Sequence, residues 1–209
     1  MRWSSLARLR RDNRGVAFIE FALAAPVLAF LILGGLELVN YGLALLKVNQ
    51  IATTVADNAG RVTTGIDEAN VYEVFAGASL IGKSMNFDQH GRIVLSSLQD
   101  NELSGSDHGQ MINWQRCLGN LHVAPAYGTE GTGRTDNKLA DGMGPAGNKI
   151  VSDPGTAVMF VEVTYEYQPL LSTKIIPLEG TIHRESAFNV RGRQNNNISN
   201  SESLATKSC

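Results

Sequence analysis

Between Arg14 and Lys47 the chain carries only two formal charges, Glu20 and Glu37, in an otherwise apolar run. That run is long enough to cross a hydrocarbon core of about 30 Å as a helix. A soluble fold would have to bury all of it. Glu20 sits near its start, and an acidic residue in a membrane helix costs about 2.5–3.5 kcal/mol at mid-depth. A carboxylate retained there calls for a partner.

The residues upstream suggest one. If the chain were cut between Gly15 and Val16, Val16 would carry a new amino group. Glu20 would then be the fifth residue, one helical turn away on the same face. An amine and a carboxylate at that spacing can neutralise each other within a chain or between chains. Basic leader, glycine, cut, apolar helix and glutamate at the fifth position together resemble a type IV pilin-like processing signal. The string Arg11-Asp12-Asn13-Arg14-Gly15-Val16-Ala17-Phe18-Ile19-Glu20-Phe21-Ala22-Leu23-Ala24-Ala25-Pro26 is narrower. It resembles the TadE-like (TadE/TadG) pseudopilins of Flp, or tight-adherence, pilus systems, with their RDxxGxxxxEFAxxxP pattern. The resemblance covers about residues 11–55; beyond that it extends only to general layout.

The resemblance implies a non-catalytic minor pilin or pseudopilin. Its partners would be the membrane, a prepilin peptidase, other pilin subunits and the pilus assembly machinery. Glu20 would register the subunit by pairing with a neighbour's new amine. No cofactor, metal, nucleic acid or small-molecule substrate is implied. An uncleaved, membrane-anchored assembly factor is the alternative, and an anchored periplasmic enzyme a more distant one.

Charge agrees with a membrane topology. Residues 1–15 form a basic leader with five arginines (Arg2, Arg8, Arg10, Arg11, Arg14) and one acid, Asp12. Removing these from the 18 basic and 20 acidic residues leaves 13 and 19, a formal net of −6. A mildly acidic remainder argues against nucleic-acid binding. Arginines flanking a membrane helix stay cytoplasmic. That places everything from Lys47 outside the cytoplasm, and the resemblance implies a bacterial inner membrane, single-pass, with the C-terminal domain in the periplasm. A secretory signal with Ala22-Leu23-Ala24 as its small-residue site competes. Its apolar region should precede the cut, yet the strongest apolar run, Val27–Leu36, follows it. An uncleaved signal anchor gives the same topology with the leader retained.

The expected organisation is a leader at 1–15, a membrane helix at 16–46, an extracytoplasmic domain at 47–193 and a polar tail at 194–209. Pro26 can kink the membrane helix. By the 1.5 Å rise, Glu37, Asn40 and Tyr41 lie one membrane thickness from Val16, so Glu37 is expected to be hydrated and Tyr41 an interfacial anchor. Val48, Ile51, Val55, Ala59 and Val62 recur at helical spacing, which extends the helix to about Thr64 before Gly65 stops it. Asp67–Met85 reads as a second helix with Val71, Val74, Phe75 and Ala78 on one side; Gly77 and Gly82 weaken its last turns. Strands are expected at Arg92–Gln99, Met111–Cys117, Ala157–Gln168 and Thr181–Arg191. In the third, Met159, Val161, Val163, Tyr165 and Tyr167 share one face. Phe160 shares the other with Glu162, Thr164 and Glu166, so it must be exposed or covered by another element. Pro125–Gly155 and Gln194–Lys207 look poorly ordered by composition. The fold class is α+β: a long N-terminal helix running from the membrane onto a small antiparallel sheet.

Gly142-Met143-Gly144-Pro145-Ala146-Gly147 matches GxGxxG literally. No expected strand precedes it, and Pro145 lacks the amide a phosphate cradle uses, so it reads as a loop. His90, His108, His122 and His183 form no zinc motif, and His183 reads as a surface residue. Asp136, Asp141 and Asp153 lack calcium-loop spacing. No GxSxG elbow is present. Asn197-Ile198-Ser199 is a sequon by pattern only. Trp114, Tyr165 and Tyr167 read as core rather than as an adhesive surface.

Cys117 and Cys209 are the only cysteines. The expected topology puts both in an oxidising compartment, where an intrachain bridge has one possible connectivity. Two free thiols, or a bridge between chains, are the alternatives.

Overall fold

The computed structural model describes residues 15–171, 177–192 and 195–209. The leader arginines and Gln194 lie outside the described residues. The chain divides into two compact units, Met1–Gly42 with Pro169–Leu178 and Leu43–Gln168 with Glu179–Cys209. The fold is α+β: a long apolar N-terminal helix leads into a four-stranded antiparallel sheet.

Helix α1 spans Val16–Arg61 without interruption, with Pro26 inside it. It stops at Arg61, just before Val62-Thr63-Thr64, a β-branched run whose side chains crowd the preceding helical turn. In the second unit, Val48, Ile51, Val55 and Ala59 are fully buried, as their spacing predicts, and Ala52 and Ala56 widen the stripe. Asn58 and Arg61 on the other side are exposed.

Strand β1 (Ile66–Asp67) leads into helix α2 (Glu68–Gly82). Asp67 caps α2 by accepting from Ala69 N, and Asn70 closes a capping box on the Asp67 amide. Val71, Val74, Phe75 and Ala78 form the buried face. Gly82, which weakens the helix by propensity, is required by packing. A side chain there would meet Phe87 Cβ at 2.4 Å and Ile51 Cδ1 at 3.4 Å. A 3-10 turn, Lys83–Met85, and the short helix α3, Phe87–His90, complete this layer. Lys47 Nζ donates to Ser84 Oγ and ties α1 to the turn.

The sheet comprises β2 (Gly91–Asp100), β3 (Gln110–Leu118), β4 (Val158–Glu166) and β5 (Thr181–Asn189), in the order β3-β2-β4-β5, all antiparallel. A bulge at Ser97/Leu98 skips Asn113, so that Ser97 opposes Trp114 and Leu98 opposes Ile112. One face of β4 meets the helical layer: Tyr165 stacks on Phe87 at 6.0 Å and its hydroxyl donates to Met85 O. Trp114, Tyr165 and Tyr167 are buried.

On the other face of β4, covering rather than exposure is the outcome for Phe160, and the cover corrects the expectation for 125–155. Phe160, Glu162 and Thr164 are all buried, and only Glu166 is exposed. The cover is the connection Pro125–Gly155, which is ordered rather than loose. Its Leu139 and Met143 join Leu98, Ile112, Val158 and Phe160 in one cluster, flanked by Tyr127, Ile150 and Ala187. Backbone bonds run both ways between Met143 and Ile150, at 3.0 and 2.7 Å. The Gln110 amide clamps Ser152, donating to its carbonyl and accepting from its N–H. Gly142, with φ +82°, lets the chain turn where a Cβ would lie 2.0 Å from Ile150 O. The glycines of the GxGxxG match are therefore turn residues, as expected.

The polar tail is likewise placed. Strand β6 (Ile198–Ser199) pairs parallel with β1. Asp67 Oδ2 accepts from Ser199 Oγ and Ser201 N, and these bonds, the hydroxyl's first, hold its carboxyl down to about pKa 2. Trp114 Nε1 donates to Asn196 O, Tyr72 Oη to Ala205 O, and Cys117 N to Lys207 O. Cys117 and Cys209 form a disulfide with their Cα atoms 5.0 Å apart. Beneath the tail, buried Arg116 donates to Glu68 Oε1 through Nε at 2.7 Å and to Glu130 Oε2 through Nη1 at 2.9 Å.

The disulfide spans a sequence separation of 92. In the chain-entropy picture a closed loop of that size adds about 4–5 kcal/mol. Cys209→Ser is therefore expected to lower unfolding free energy by up to about that amount in denaturant titrations of the full chain in detergent. A loss under about 1 kcal/mol would show that the tail's hydrogen bonds hold it without the covalent link.

Candidate functional site

The candidate site is the first half of α1. Gly15 is exposed, and Val16 is the first helical residue. Glu20 is exposed one turn later, flanked by Phe18 at 81% and Phe21 at 69% exposure. The helix is long and apolar enough to cross a membrane, and none of its most apolar 18-residue window is buried. Large side chains stay exposed around the whole circumference, among them Val27, Leu28, Phe30, Leu31 and Ile32. An apolar surface of that extent is not left to water, so the segment associates with a membrane. Pro26 supplies no N–H to the Ala22 carbonyl, a defect that membrane helices tolerate.

Glu37 departs from expectation. Rather than hydrated, it is 1% exposed, and its Oε2 accepts from Leu170 N and Leu171 N, each at 2.9 Å. The bonds come from the β4–β5 connection, distant in sequence but in the same compact unit. Nothing local in the sequence signals this pairing. Gly15 and Val16 thus stand at the helix start with Glu20 one turn on, whereas Cys117 and Cys209 are joined in the other unit.

A second cluster lies between the 125–155 connection and the edge strand β5. A cavity of about 440 Å³ is lined by Pro145, Ile150, Phe160, His183, Arg184 and Ala187, among others. Beside it, Glu185 Oε1 accepts from Tyr127 Oη at 2.8 Å and lies 3.1 Å from His183 Nε2. Glu162, cross-strand from Glu185, accepts from Ala126 N at 2.8 Å. Burial, aided by the charge of Glu185, pushes the Glu162 carboxyl up. Burial and then Glu185 push the Tyr127 hydroxyl up as well. Each carboxylate thus accepts a bond from the connection and fastens it to the sheet. Sequence reasoning placed Glu162 and Glu185 on strands but missed the cluster, because Ala126 and Tyr127 come from a stretch without periodicity. Among the described residues, no three His, Cys, Asp or Glu side chains converge as a metal site would require. His183 is half-exposed, as expected.

No family model, curated protein or solved structure matches the chain.

Glu162 provides a pH test. Its folded-state pKa is raised, so the stability it contributes is fully present below its unfolded value, about 4.3, and falls as pH rises through the folded value. Glu162→Gln keeps an acceptor for Ala126 N and removes the charge. Its urea midpoint, relative to the parent, is expected to be higher at pH 8 than at pH 4. An unchanged difference across that range would show that Glu162 is not strained by ionisation.

Proposed function

We propose that this chain is a non-catalytic minor pilin or pseudopilin of a Flp-type pilus, anchored in the inner membrane with its α+β head outside the cytoplasm. One observation carries the reading. Gly15 and Val16 stand at the start of a helix whose exposed apolar half bears Glu20 one turn in, and whose second half is the spine of the head. A pilin subunit needs that continuity, because the membrane segment must later pack against other subunits while the head stays folded. The arginines before Gly15 support the orientation by the positive-inside rule. The disulfide supports an oxidising compartment for the head.

A prepilin peptidase would cut after Gly15. Val16 then carries an amine four residues, about 6 Å of helical rise, from Glu20. In the bilayer an unpaired Glu20 is costly, and a neighbour's amine offsets that cost where water does not. The charge pair selects a partner presenting the same cut end at the same depth. The exposed apolar surface supplies contact area, and the pair supplies register.

Mass analysis of the native membrane protein tests the cut. The mature chain is expected to begin at Val16, and Gly15→Leu is expected to block trimming, on the premise that the subsite beside the cut admits only a small side chain. An intact Met1 with the peptidase present would favour an uncleaved anchor.

Glu20→Ala tests the pairing. It removes a charge worth about 2.5–3.5 kcal/mol against insertion at mid-depth, so membrane integration should be retained or improved. Recovery of the variant in pilus-assembly complexes is expected to fall about tenfold or more, which corresponds to about 1.4 kcal/mol of lost association. Wild-type recovery would rule out the pairing role.

A further inference from the structure

The second carboxylate of α1 marks a second lipid contact. Glu37 is 1% exposed, while its neighbours Leu36, Leu38 and Val39 are 55%, 57% and 62% exposed. The helix therefore turns apolar side chains outward at this level and its one carboxylate toward protein. What it meets is backbone: the amides of Leu170 and Leu171, both held by Oε2. Those residues begin the β4–β5 connection, and that connection belongs to the same compact unit as the apolar helix. Pro169 and Leu170 are themselves exposed, Leu170 by 68%.

Depth decides what faces Leu170. Glu37 lies 21 residues from Val16, about 31 Å along the helix, close to the thickness of the hydrocarbon core. A chain segment reaching that boundary brings amides that cannot be left bare there. Glu37 satisfies two of them at once. Leu170 then projects at the level where Leu36, Leu38 and Val39 already form an exposed apolar collar. The occupant of that collar is the acyl-chain region of the bilayer, and Leu170 is continuous with it.

We infer that the tip Pro169–Leu171 is a second membrane contact, with Leu170 set into the lipid at the outer boundary and Glu37 as the positioning residue that holds it there. This rests on the membrane-anchoring reading and adds to it a second point at which the chain meets the bilayer. The Glu37 charge would thereby act on the docking of the β4–β5 connection, separately from Glu20 at the other end of the span.

Among the described residues every cysteine is in the disulfide, so one introduced cysteine is the sole reactive thiol. Leu170→Cys, Phe30→Cys and Ser104→Cys are each labelled with a nitroxide in the full chain. The proteins are reconstituted in vesicles of phosphatidylcholine and phosphatidylglycerol. Cysteine at position 170 keeps the N–H that Glu37 accepts. Collision rates with oxygen, which partitions into lipid, and with an aqueous nickel chelate report depth. Position 30 serves as the mid-span reference and position 104, exposed in the head, as the aqueous one. The oxygen-to-nickel ratio at 170 is expected to be several-fold above that at 104 and below that at 30. Adding Glu37→Ala is expected to bring it down toward the value at 104.

A ratio at 170 equal to that at 104, with 30 reading as lipid, overturns the inference and leaves the anchor intact. A label at 170 shielded from both probes means protein covers it, and overturns the inference too. A ratio at 170 unmoved by Glu37→Ala overturns the positioning role. An aqueous reading at position 30 sinks the anchoring reading and the inference with it.

Discussion

Strand β4 is buried on both faces, and the head is arranged to satisfy that requirement. Tyr165 meets the helical layer on the buried face it shares with Met159, Val161 and Val163, while Val158, Phe160, Glu162 and Thr164 need a second cover. Phe160 and the apolar residues around it make bare exposure costly, at about 25 cal/mol per Å² of apolar surface. No second helical or sheet layer exists among the described residues to provide it. The connection 125–155 does so with few apolar groups, Tyr127, Leu139, Met143 and Ile150. Because so little of it is apolar, its path depends on polar fasteners: the Gln110 amide on Ser152, Glu162 on Ala126, Glu185 on Tyr127. A glycine-rich chain is thereby ordered, since hydrogen bonds offset the conformational entropy that composition alone leaves uncompensated.

The sheet edges are managed in two ways. Along β3, Thr132 and Leu139 of the connection and Lys207 of the tail pair with the backbone at Ile112, Gln110 and Cys117. The disulfide fixes the tail at the same place. Along β5, the Arg184 guanidinium folds back onto the His183 carbonyl at 2.7 Å, with Glu185 next to it in the strand. Charged edges of this kind disfavour pairing with another sheet. In the proposed pilus role, contacts between subunits would then fall to the helix rather than to the sheet.

The two glutamates of α1 show how position decides the fate of the same side chain. Glu20 is exposed one turn into the helix, and in the proposed role its partner comes from a cut end. Glu37 is enclosed by its own chain through two backbone amides. In the proposed role the first serves assembly, because its pairing is left to the environment. The second suits architecture, because its pairing is made on folding.

Local chemistry was enough to place the elements. The apolar run, the stripe from Val48 to Ala59, the buried face of α2 and the four strands follow from periodicities of 3.6 and 2, which record faces directly in residue order. Gly15, Val16 and Glu20 fall at the start of the helix that the apolar run marks, and the role proposed for them rests on the resemblance. Tertiary structure alone decided the rest. Glu37 meets amides more than 130 residues away, and no pattern near Leu36 or Leu170 encodes that meeting. Gly82 reads as a helix breaker until Phe87 and Ile51 are seen to require it. The connection and the tail look disordered because composition measures what a segment can bury by itself. It does not measure what a neighbouring strand needs covered, nor the hydrogen bonds and the one disulfide that tie the segment down.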